Sequence, residues 1–197
     1  VFKSSVNRSP MESTPGLPGE EATLRIELRL IASAGLVGLP NAGKSSLLNA
    51  LTGATAKVGA YAFTTLDPNL GVLYGHILAD IPGLIEGASA GKGLGSKFLR
   101  HIARTKLILH CVSLESDTAM EDYRVVRGEL ESFEGTDLSA KPEIIVLTKS
   151  DTRDSAYIQA KVSAFKNKGG KVVVVSILDD ASVKALGDTI TAALRAA

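Results

Sequence analysis

One segment near the beginning of the chain has the residue types and spacing of a phosphate-binding loop. Two glycines bracket four residues and are followed by a lysine and a serine, in the order Gly38-Leu39-Pro40-Asn41-Ala42-Gly43-Lys44-Ser45. Glycines allow backbone N–H groups to turn inward around phosphates. The ammonium of Lys44 can then reach the β- and γ-phosphates, and the hydroxyl of Ser45 can bind Mg²⁺. These residues predict a nucleoside triphosphate site.

Such a loop requires a strand before it and a helix after it. The apolar residues Ala34–Val37 predict the strand, and Lys44–Leu51 predict the helix. The N-terminus of that helix adds a partial positive charge beside the phosphates. We therefore favour a phosphate loop over a glycine-rich turn that matches the motif by chance.

A second segment downstream of Ser45 reads Phe63-Thr64-Thr65-Leu66-Asp67. The hydroxyl of Thr65, on a flexible loop, can complete the Mg²⁺ shell only while a γ-phosphate is present. Such a loop orders with the triphosphate and releases after hydrolysis. Adjacent β-branched threonines are also typical of a plain strand, so both interpretations stay open.

A third segment, Asp80-Ile81-Pro82-Gly83, stands at the end of a predicted strand. Asp80 can bind Mg²⁺ through a water molecule, and the N–H of Gly83 can meet the γ-phosphate. Four glycines occur in the ten residues 86–95, which suits a segment that changes conformation. A strand-ending turn is the alternative. The separation of this segment from the phosphate loop along the sequence favours a nucleotide site.

Two later segments predict contacts to the base. The first reads Thr148-Lys149-Ser150-Asp151, and its aspartate can accept hydrogen bonds from guanine N1–H and N2–H₂, a donor pair that adenine lacks. The methylenes of Lys149 can lie on the base plane. The second reads Ser176-Ile177-Leu178, where a backbone N–H can meet the guanine O6. Each segment alone would be an ordinary loop.

The elements that position these residues predict an α/β fold of three layers. Continuous apolar runs rich in Val and Ile are typical of a parallel sheet covered by helices on both faces. We predict a P-loop NTPase of the Ras-like G-domain type, with a mainly parallel sheet. Predicted strands are Ala34–Val37, Leu70–Leu73, Ile77–Ile81, Lys106–Val112, Glu143–Leu147 and Lys171–Ser176. Predicted helices are Lys44–Leu51, Gly95–Arg104, Thr118–Phe133, Ser155–Lys168 and Ser182–Ala196. The alternating residues 23–30 predict a further half-buried strand.

The bulk composition is that of an ordinary globular domain. The 197 residues carry a net charge of +1, which neither favours nor excludes a nucleic-acid partner. The single cysteine, Cys111, excludes a disulfide framework and is typical of a reducing cytosol. No apolar run is long enough to span a membrane. We expect a cytoplasmic monomer.

Together the motifs resemble the Obg family of GTPases, in the translation-factor-related class. The resemblance runs from Phe2 to the C-terminus and is carried by GLVGLPNAGKSSLLNALT, YAFTTLDPNLGVL and ADIPGLIEGASAGKGLGSKFLRHIARTKLILH. It implies that residues 34–197 are a GTP-binding domain and residues 1–33 a linker with the C-terminal remnant of the family's N-terminal domain. It also implies Mg²⁺-dependent GTP hydrolysis to GDP. The implied role is a switch in assembly of the large ribosomal subunit, in contact with that subunit or its rRNA.

Two departures from the family pattern lie in the base-reading segments. The family's asparagine, which braces both the base and the phosphate loop, is Thr148 here, so that brace is not carried over by resemblance. The usual alanine after Ser176 is Ile177, whose backbone N–H survives the change.

The predicted catalytic residues are Asn41, Lys44, Thr65 and Gly83. Leu84 stands where Ras-like GTPases place a water-orienting glutamine, and leucine cannot hydrogen-bond water. We therefore predict slow turnover, on the order of 10⁻⁴ to 10⁻² per second. The resemblance implies that Asn41 holds a K⁺ ion where the charge of an arginine finger would lie, and a turn-stabilising asparagine is the alternative.

A second function is open to the same residues. It is a non-catalytic sensor that binds GTP, GDP or a guanosine alarmone and signals by conformation. A GTPase of tRNA modification is disfavoured, because FTTLDPN is not the switch sequence of that family.

Overall fold

The computed structural model describes residues 32–53, 57–58, 69–80, 99, 102–132, 138, 140–167 and 170–196, preceded by residues 5, 6, 8, 9, 11 and 16–23. The chain divides into two compact units, Val1–Leu30 and Ile31–Ala197. In the first unit, the described apolar side chains of Val6, Met11 and Leu17 are exposed. The strand predicted over residues 23–30 lies outside the described residues, apart from its first position.

Seven strands of the second unit form one sheet, in the spatial order β2-β3-β4-β1-β5-β6-β7. Four pairs (β4 with β1, β1 with β5, β5 with β6, and β6 with β7) are parallel, and the other two are antiparallel. This confirms the predicted α/β fold with a mainly parallel sheet. The strands are β1 (Ala34–Val37), β2 (Lys57–Val58), β3 (Asn69–Leu73), β4 (His76–Asp80), β5 (Leu107–Ser113), β6 (Glu143–Thr148) and β7 (Lys171–Val174).

Four α-helices have defined ends in the described residues: α1 (Lys44–Thr52), α2 (Ala119–Glu131), α3 (Ser155–Lys166) and α4 (Asp180–Ala196). A single turn of 3-10 helix spans Ser150–Thr152. Leu99, Ile102 and Ala103 also have helical backbone, within the helix predicted for Gly95–Arg104. Asp154 caps α3 by accepting a hydrogen bond of 2.7 Å from the N–H of Tyr157, which satisfies one of the free donors of a helix N-terminus.

Helices lie on both faces of the sheet, as the apolar strand runs predict. On one face, α1 and α4 pack against β1, β4 and β5 through leucines such as Leu36, Leu48, Leu78 and Leu186. The opposite face is covered by α2 and α3 and by the helical residues near Ile102. Each fully buried leucine stabilises the fold by about 1.5–3 kcal/mol. The apolar packing on the two faces of the sheet therefore holds the carboxyl ends of the strands in place.

The predicted and observed boundaries differ in ways that have local causes. Strand β2 has only two residues and was not predicted. Strand β7 ends at Val174 rather than Ser176, since Ser176 turns its backbone N–H toward the hydroxyl of Ser182. The turn between β3 and β4 consists of Tyr74 and Gly75, with φ of 46° and 85°. Positive φ at both positions is the requirement of a two-residue hairpin turn of type I′.

Candidate functional site

The phosphate loop lies where the sheet topology creates a crevice. Strand β1 is flanked by β4 and β5, so the chain order reverses at β1. Ligands of open α/β sheets bind beyond the carboxyl ends of the strands at such a point. The register pairs Leu36 of β1 with Asp80 of β4, and Val37 with His110 of β5. The loop that follows β1 and the aspartate that ends β4 therefore lie side by side.

Gly38 shows why the loop needs its first glycine. Its φ is 149°, and a Cβ at this position would lie 2.3 Å from the carbonyl oxygen of Cys111. That distance is far inside van der Waals contact, so any side chain would push the loop away from β5. Gly43, with φ of 80°, occupies the N-cap of α1 in the left-handed region.

Lys44 is held inside the loop that it serves. Its Nζ donates hydrogen bonds to the carbonyl oxygens of Gly38 at 3.0 Å and Leu39 at 2.9 Å. Burial lowers the pKa of the Lys44 ammonium, and the nearby negative charge of Asp80 partly offsets that effect. The ammonium is thus placed among backbone acceptors that phosphate oxygens could replace.

Ser45 and Asp80 meet directly beside Lys44. The hydroxyl of Ser45 donates a hydrogen bond to Oδ2 of Asp80. Asp80 is buried, with only 3% of its surface exposed. Among the described residues, the second oxygen of Asp80, Oδ1, is buried and has no hydrogen-bond partner. A buried carboxylate oxygen without a donor is costly unless a cation or water satisfies it.

This arrangement fits Mg²⁺, which binds few protein oxygens and keeps several waters and phosphate oxygens. Within the described residues, no three side chains of His, Cys, Asp or Glu gather as a protein-only metal site would require. Ser45 and Asp80 would therefore hold the ion together with oxygens of a bound nucleotide. The two residues are the pair predicted for this purpose from the sequence.

Most of the residues predicted to read the base line a cleft of about 230 Å³ on one side of the phosphate loop, although Ser150 and Ser176 do not. Thr148, Lys149, Asp151 and Ile177 all lie on its wall, as the two predicted segments require if they read one ligand. The complete lining is Gly43, Ser46, Leu47, Thr148, Lys149, Asp151, Val175, Ile177 and Leu178.

One hydrogen bond joins the two segments predicted to read the base, and a second joins the first segment to Val175, just before the other. The hydroxyl of Ser176 donates to Oδ1 of Asp151 at 2.5 Å, and the N–H of Ser150 donates to the carbonyl oxygen of Val175 at 3.3 Å. The hydroxyl of Ser176 also accepts from the N–H of Leu178 at 3.2 Å. Asp151 thus has one carboxylate oxygen fixed by the neighbouring segment, which orients the carboxylate in the cleft.

Thr148 makes a contact that its residue type did not reveal. Its hydroxyl donates to the carbonyl oxygen of Ala42, in the phosphate loop, at 2.8 Å and lies 3.3 Å from that of Val112. The residue is almost fully buried. The bracing of the phosphate loop, which resemblance alone could not carry over to a threonine, is therefore present in this chain.

A second and larger cleft, of about 270 Å³, lies on the other side of Lys149. Asn41 is exposed on its wall, with φ of 62°, a left-handed conformation that asparagine tolerates better than most residues. The cleft is lined by Leu39, Pro40, Asn41, Ala42, Cys111, Val112, Ser113, Glu115, Ser116, Asp122 and Lys149. It lacks Asp151, which lines the smaller cleft instead.

Several predicted site residues lie outside the described residues. They are Phe63, Thr64, Thr65, Leu66, Asp67, Ile81, Pro82, Gly83 and Leu84. Their predicted roles in Mg²⁺ and γ-phosphate binding stay predictions.

Cys111 has the structural role that its apolar strand predicts. It is buried in β5, and burial raises the pKa of its thiol to about 12, so it is a protonated core side chain.

A network of polar side chains lies next to Cys111. Nδ1 of the buried His110 lies 2.7 Å from Oε1 of Glu143, and Arg127 donates to Oε2 of Glu143 at 2.9 Å. Sequence reasoning missed this network, although two polar residues in otherwise apolar strands were its signal.

The fold and this site define a P-loop nucleotide-binding domain. Residues 33–149 match the family described as 50S ribosome-binding GTPase. Over 177 residues, the chain is 51% identical to GTPase Obg of Sphingopyxis alaskensis, a match that covers 88% of this chain and 51% of that protein. The chain therefore belongs to this GTPase family, in its Obg branch, and it spans about half the length of that curated relative.

Solved structures with the same fold come from FeoB proteins. A mutant of S. thermophilus NFeoB bound to GDP has a TM-score of 0.63 and 21% identity, covering 82% of this chain and 61% of that one. The G domain of T. maritima FeoB has a TM-score of 0.58 and 22% identity, covering 83% and 99%. At such identities the likeness concerns the fold alone.

None of the helices in the described part of the chain is long and apolar enough to cross a membrane.

Proposed function

We propose that this domain binds GTP at the phosphate loop and hydrolyses it slowly with the help of Mg²⁺. The observation that carries the proposal is the contact between Ser45 and Asp80 beside the Lys44 ammonium, with one Asp80 oxygen buried and unpartnered among the described residues. A hydroxyl in contact with a carboxylate suits a metal ion, and a lysine ammonium held in the adjoining loop suits the phosphates. When bound, Mg²⁺ would neutralise charge that develops on the phosphate oxygens.

The choice of guanine rests on Asp151. Its carboxylate lies in the cleft beside Thr148 and Ile177, with one oxygen oriented by Ser176. Guanine presents N1–H and N2–H₂ to such an acceptor, and adenine presents no matching pair. Since a buried or oriented polar group left unpaired is costly, ATP should bind far more weakly than GTP.

Hydrolysis by this chain should be slow without a partner. Leu84 supplies no group to orient water, and turnover on the order of 10⁻⁴ to 10⁻² per second is typical of G domains to which no partner supplies an arginine finger. We propose that Asn41 contributes to K⁺ binding beside the phosphates. The left-handed backbone of Asn41 also suits a turn role, so a salt comparison must separate the two.

Calorimetry with GTP, GDP and ATP in Mg²⁺, with K⁺ or Na⁺ as the monovalent cation, tests the binding proposal. We expect tight binding of GTP and GDP, with ATP much weaker. Equal affinity for ATP and GTP would contradict the role of Asp151. A steady-state hydrolysis assay in the same two salts tests the K⁺ proposal, and equal rates in K⁺ and Na⁺ would contradict the role of Asn41 without bearing on the GTP site.

We further propose that the whole protein acts as a switch in assembly of the large ribosomal subunit, in the cytoplasm. The description of the family as 50S ribosome-binding and the likeness to GTPase Obg support this role. Single-turnover hydrolysis with and without purified 50S subunits is the test. Stimulation would favour the switch enzyme, whereas undetectable turnover in both conditions would favour the non-catalytic sensor.

A further inference from the structure

Lys149 separates the two clefts beside the phosphate loop. It lines both of them, and its backbone has φ of 57°, in the left-handed region. This backbone conformation costs free energy in a residue that has a Cβ, so it is kept only where the surroundings fix the residue. Because Lys149 lines both clefts, the contacts of its side chain also affect the shape of the base cleft.

Glu115 fixes the far end of this side chain. Oε2 of Glu115 forms an ion pair with Nζ of Lys149. Glu115 lines only the larger cleft, whereas Asp151 lines only the base cleft. The ammonium is thus held on the side away from Asp151, and the methylenes of Lys149 are left as the wall of the base cleft.

The loop that carries Glu115 is itself attached to the base-reading segment. Arg153 donates hydrogen bonds to the carbonyl oxygens of Leu114 at 3.0 Å and of Glu115 at 2.8 Å, and it pairs with Asp117. The guanidinium of Arg153 also lies 4.8 Å from the ring centre of Tyr157. Glu115 therefore reaches Lys149 from a backbone that is fixed relative to Asp151.

We propose that Glu115 is a positioning residue for guanine recognition, acting through Lys149. By holding the ammonium, it orders the lysine stem as an apolar surface for the base. It also keeps that ammonium from pairing with the Asp151 carboxylate, which must stay free to accept from guanine. This inference rests on the proposed GTP site.

The size of the effect follows from the exposure of the pair. The side chains of Glu115 and Lys149 are 62% and 33% exposed, so their pairing is a screened surface interaction. Loss of such a pair should weaken GTP and GDP binding about twofold to fivefold, and more at low salt than at high salt. GTP and GDP should be affected equally, because the base is common to both.

A double-mutant cycle on nucleotide affinity tests the inference, using the full chain and a fluorescent GDP analogue displaced by GTP or GDP. The variants are Glu115→Gln, Lys149→Met and their combination, with Glu121→Gln as a control that removes one exposed carboxylate from α2. We expect Glu115→Gln to weaken binding in the wild-type background and to have no further effect once Lys149 is methionine. Thermal unfolding of the nucleotide-free variants should be nearly unchanged.

Four results would contradict this role. Unchanged affinity in Glu115→Gln, or the same loss in the Lys149→Met background, would show that Glu115 does not act through Lys149. An equal loss in Glu121→Gln would reduce the effect to bulk charge. If the wild-type chain binds neither GTP nor GDP, the proposed function itself fails, and the role of Glu115 fails with it.

Discussion

The hydroxyl of Thr148 donates a hydrogen bond of 2.8 Å to the carbonyl oxygen of Ala42, although the two residues are 106 positions apart in the chain. This bond ties the end of β6, which leads into the base-reading segment, to the phosphate loop. A threonine thereby joins the two halves of the nucleotide site. Asparagine and threonine side chains each carry a hydrogen-bond donor, and a donor is what the carbonyl oxygen of Ala42 requires.

Removing that donor should weaken both the fold and the site. Thr148→Val keeps the side-chain shape but leaves the Ala42 carbonyl oxygen without its partner. We expect the free energy of unfolding to fall by about 1–3 kcal/mol, and GDP to bind more weakly. Chemical denaturation and calorimetry measure the two effects. Thr191→Val, which removes a buried hydroxyl from α4, should leave nucleotide affinity unchanged.

Gly38→Ala tests the close approach of the phosphate loop to β5. The new methyl group would lie 2.3 Å from the carbonyl oxygen of Cys111, so the loop must move. We expect a loss of about 1–3 kcal/mol or more in stability and a loss of GTP binding. Gly128→Ala in α2 is the matched control, since nothing lies within 4 Å of its added methyl group. That control should gain about 0.5–1 kcal/mol, and retained GTP binding in Gly38→Ala would contradict the loop geometry.

Glu143 makes stability depend on acid pH. Burial tends to raise the pKa of its carboxyl group, but the hydrogen bond with His110 and the charge of Arg127 outweigh burial and lower the pKa below its ordinary value of 4.5. A carboxyl group whose pKa is lowered by folding stabilises the fold above that ordinary value. The stabilisation is lost as the pH falls through the lowered pKa.

Glu143→Gln should therefore cost about 1–3 kcal/mol at pH 7. The difference from the wild type should shrink as the pH is taken below about 4.5. Denaturant titrations at several pH values give this profile. Glu131→Gln removes an exposed partner of Arg127 and should change stability little at any pH. A constant difference between Glu143→Gln and wild type across the pH range would be inconsistent with this account.

Two aspartates should lose different parts of nucleotide binding. Asp80→Asn should abolish the increase in GDP affinity that Mg²⁺ produces, since Asp80 supplies the carboxylate beside Ser45. Asp151→Asn should keep the Mg²⁺ response but shift preference from GTP to xanthosine triphosphate by about 100-fold or more. Each variant is the control for the other in one set of titrations with and without Mg²⁺. Loss of the Mg²⁺ response in both would mean that the two roles are not separable.

The fold was predictable because local signals and topology agree. Continuous apolar runs predict β1, β5 and β6, and a parallel sheet brings the carboxyl ends of its strands to one edge. This is why Ser45, after β1, and Asp80, at the end of β4, are in contact. The two-residue strand β2 lacked a pattern long enough to recognise. Its pairing depends on β3, which is a tertiary contact.

The site was predictable only where the motif sets the geometry. Glu115 and Arg153 carry no sequence signal, because an exposed glutamate and an arginine after a turn look like ordinary surface residues in a sequence. Their meaning comes from the approach of the loop after β5 to the segment after β6. The brace by Thr148 was also hidden, since residue type alone does not reveal which carbonyl a buried hydroxyl reaches.

The hydrogen bonds of Lys44 with the carbonyl oxygens of Gly38 and Leu39 have a consequence for nucleotide loading. A lysine that is free in solution loses rotamer freedom when it is immobilised, and this loss opposes binding. Here the two carbonyl oxygens hold the ammonium within the loop. An ammonium has three donors, so two of them hold Lys44 in the loop and the third stays available for a phosphate oxygen. Less side-chain freedom is then lost on nucleotide binding than for a lysine that no partner holds.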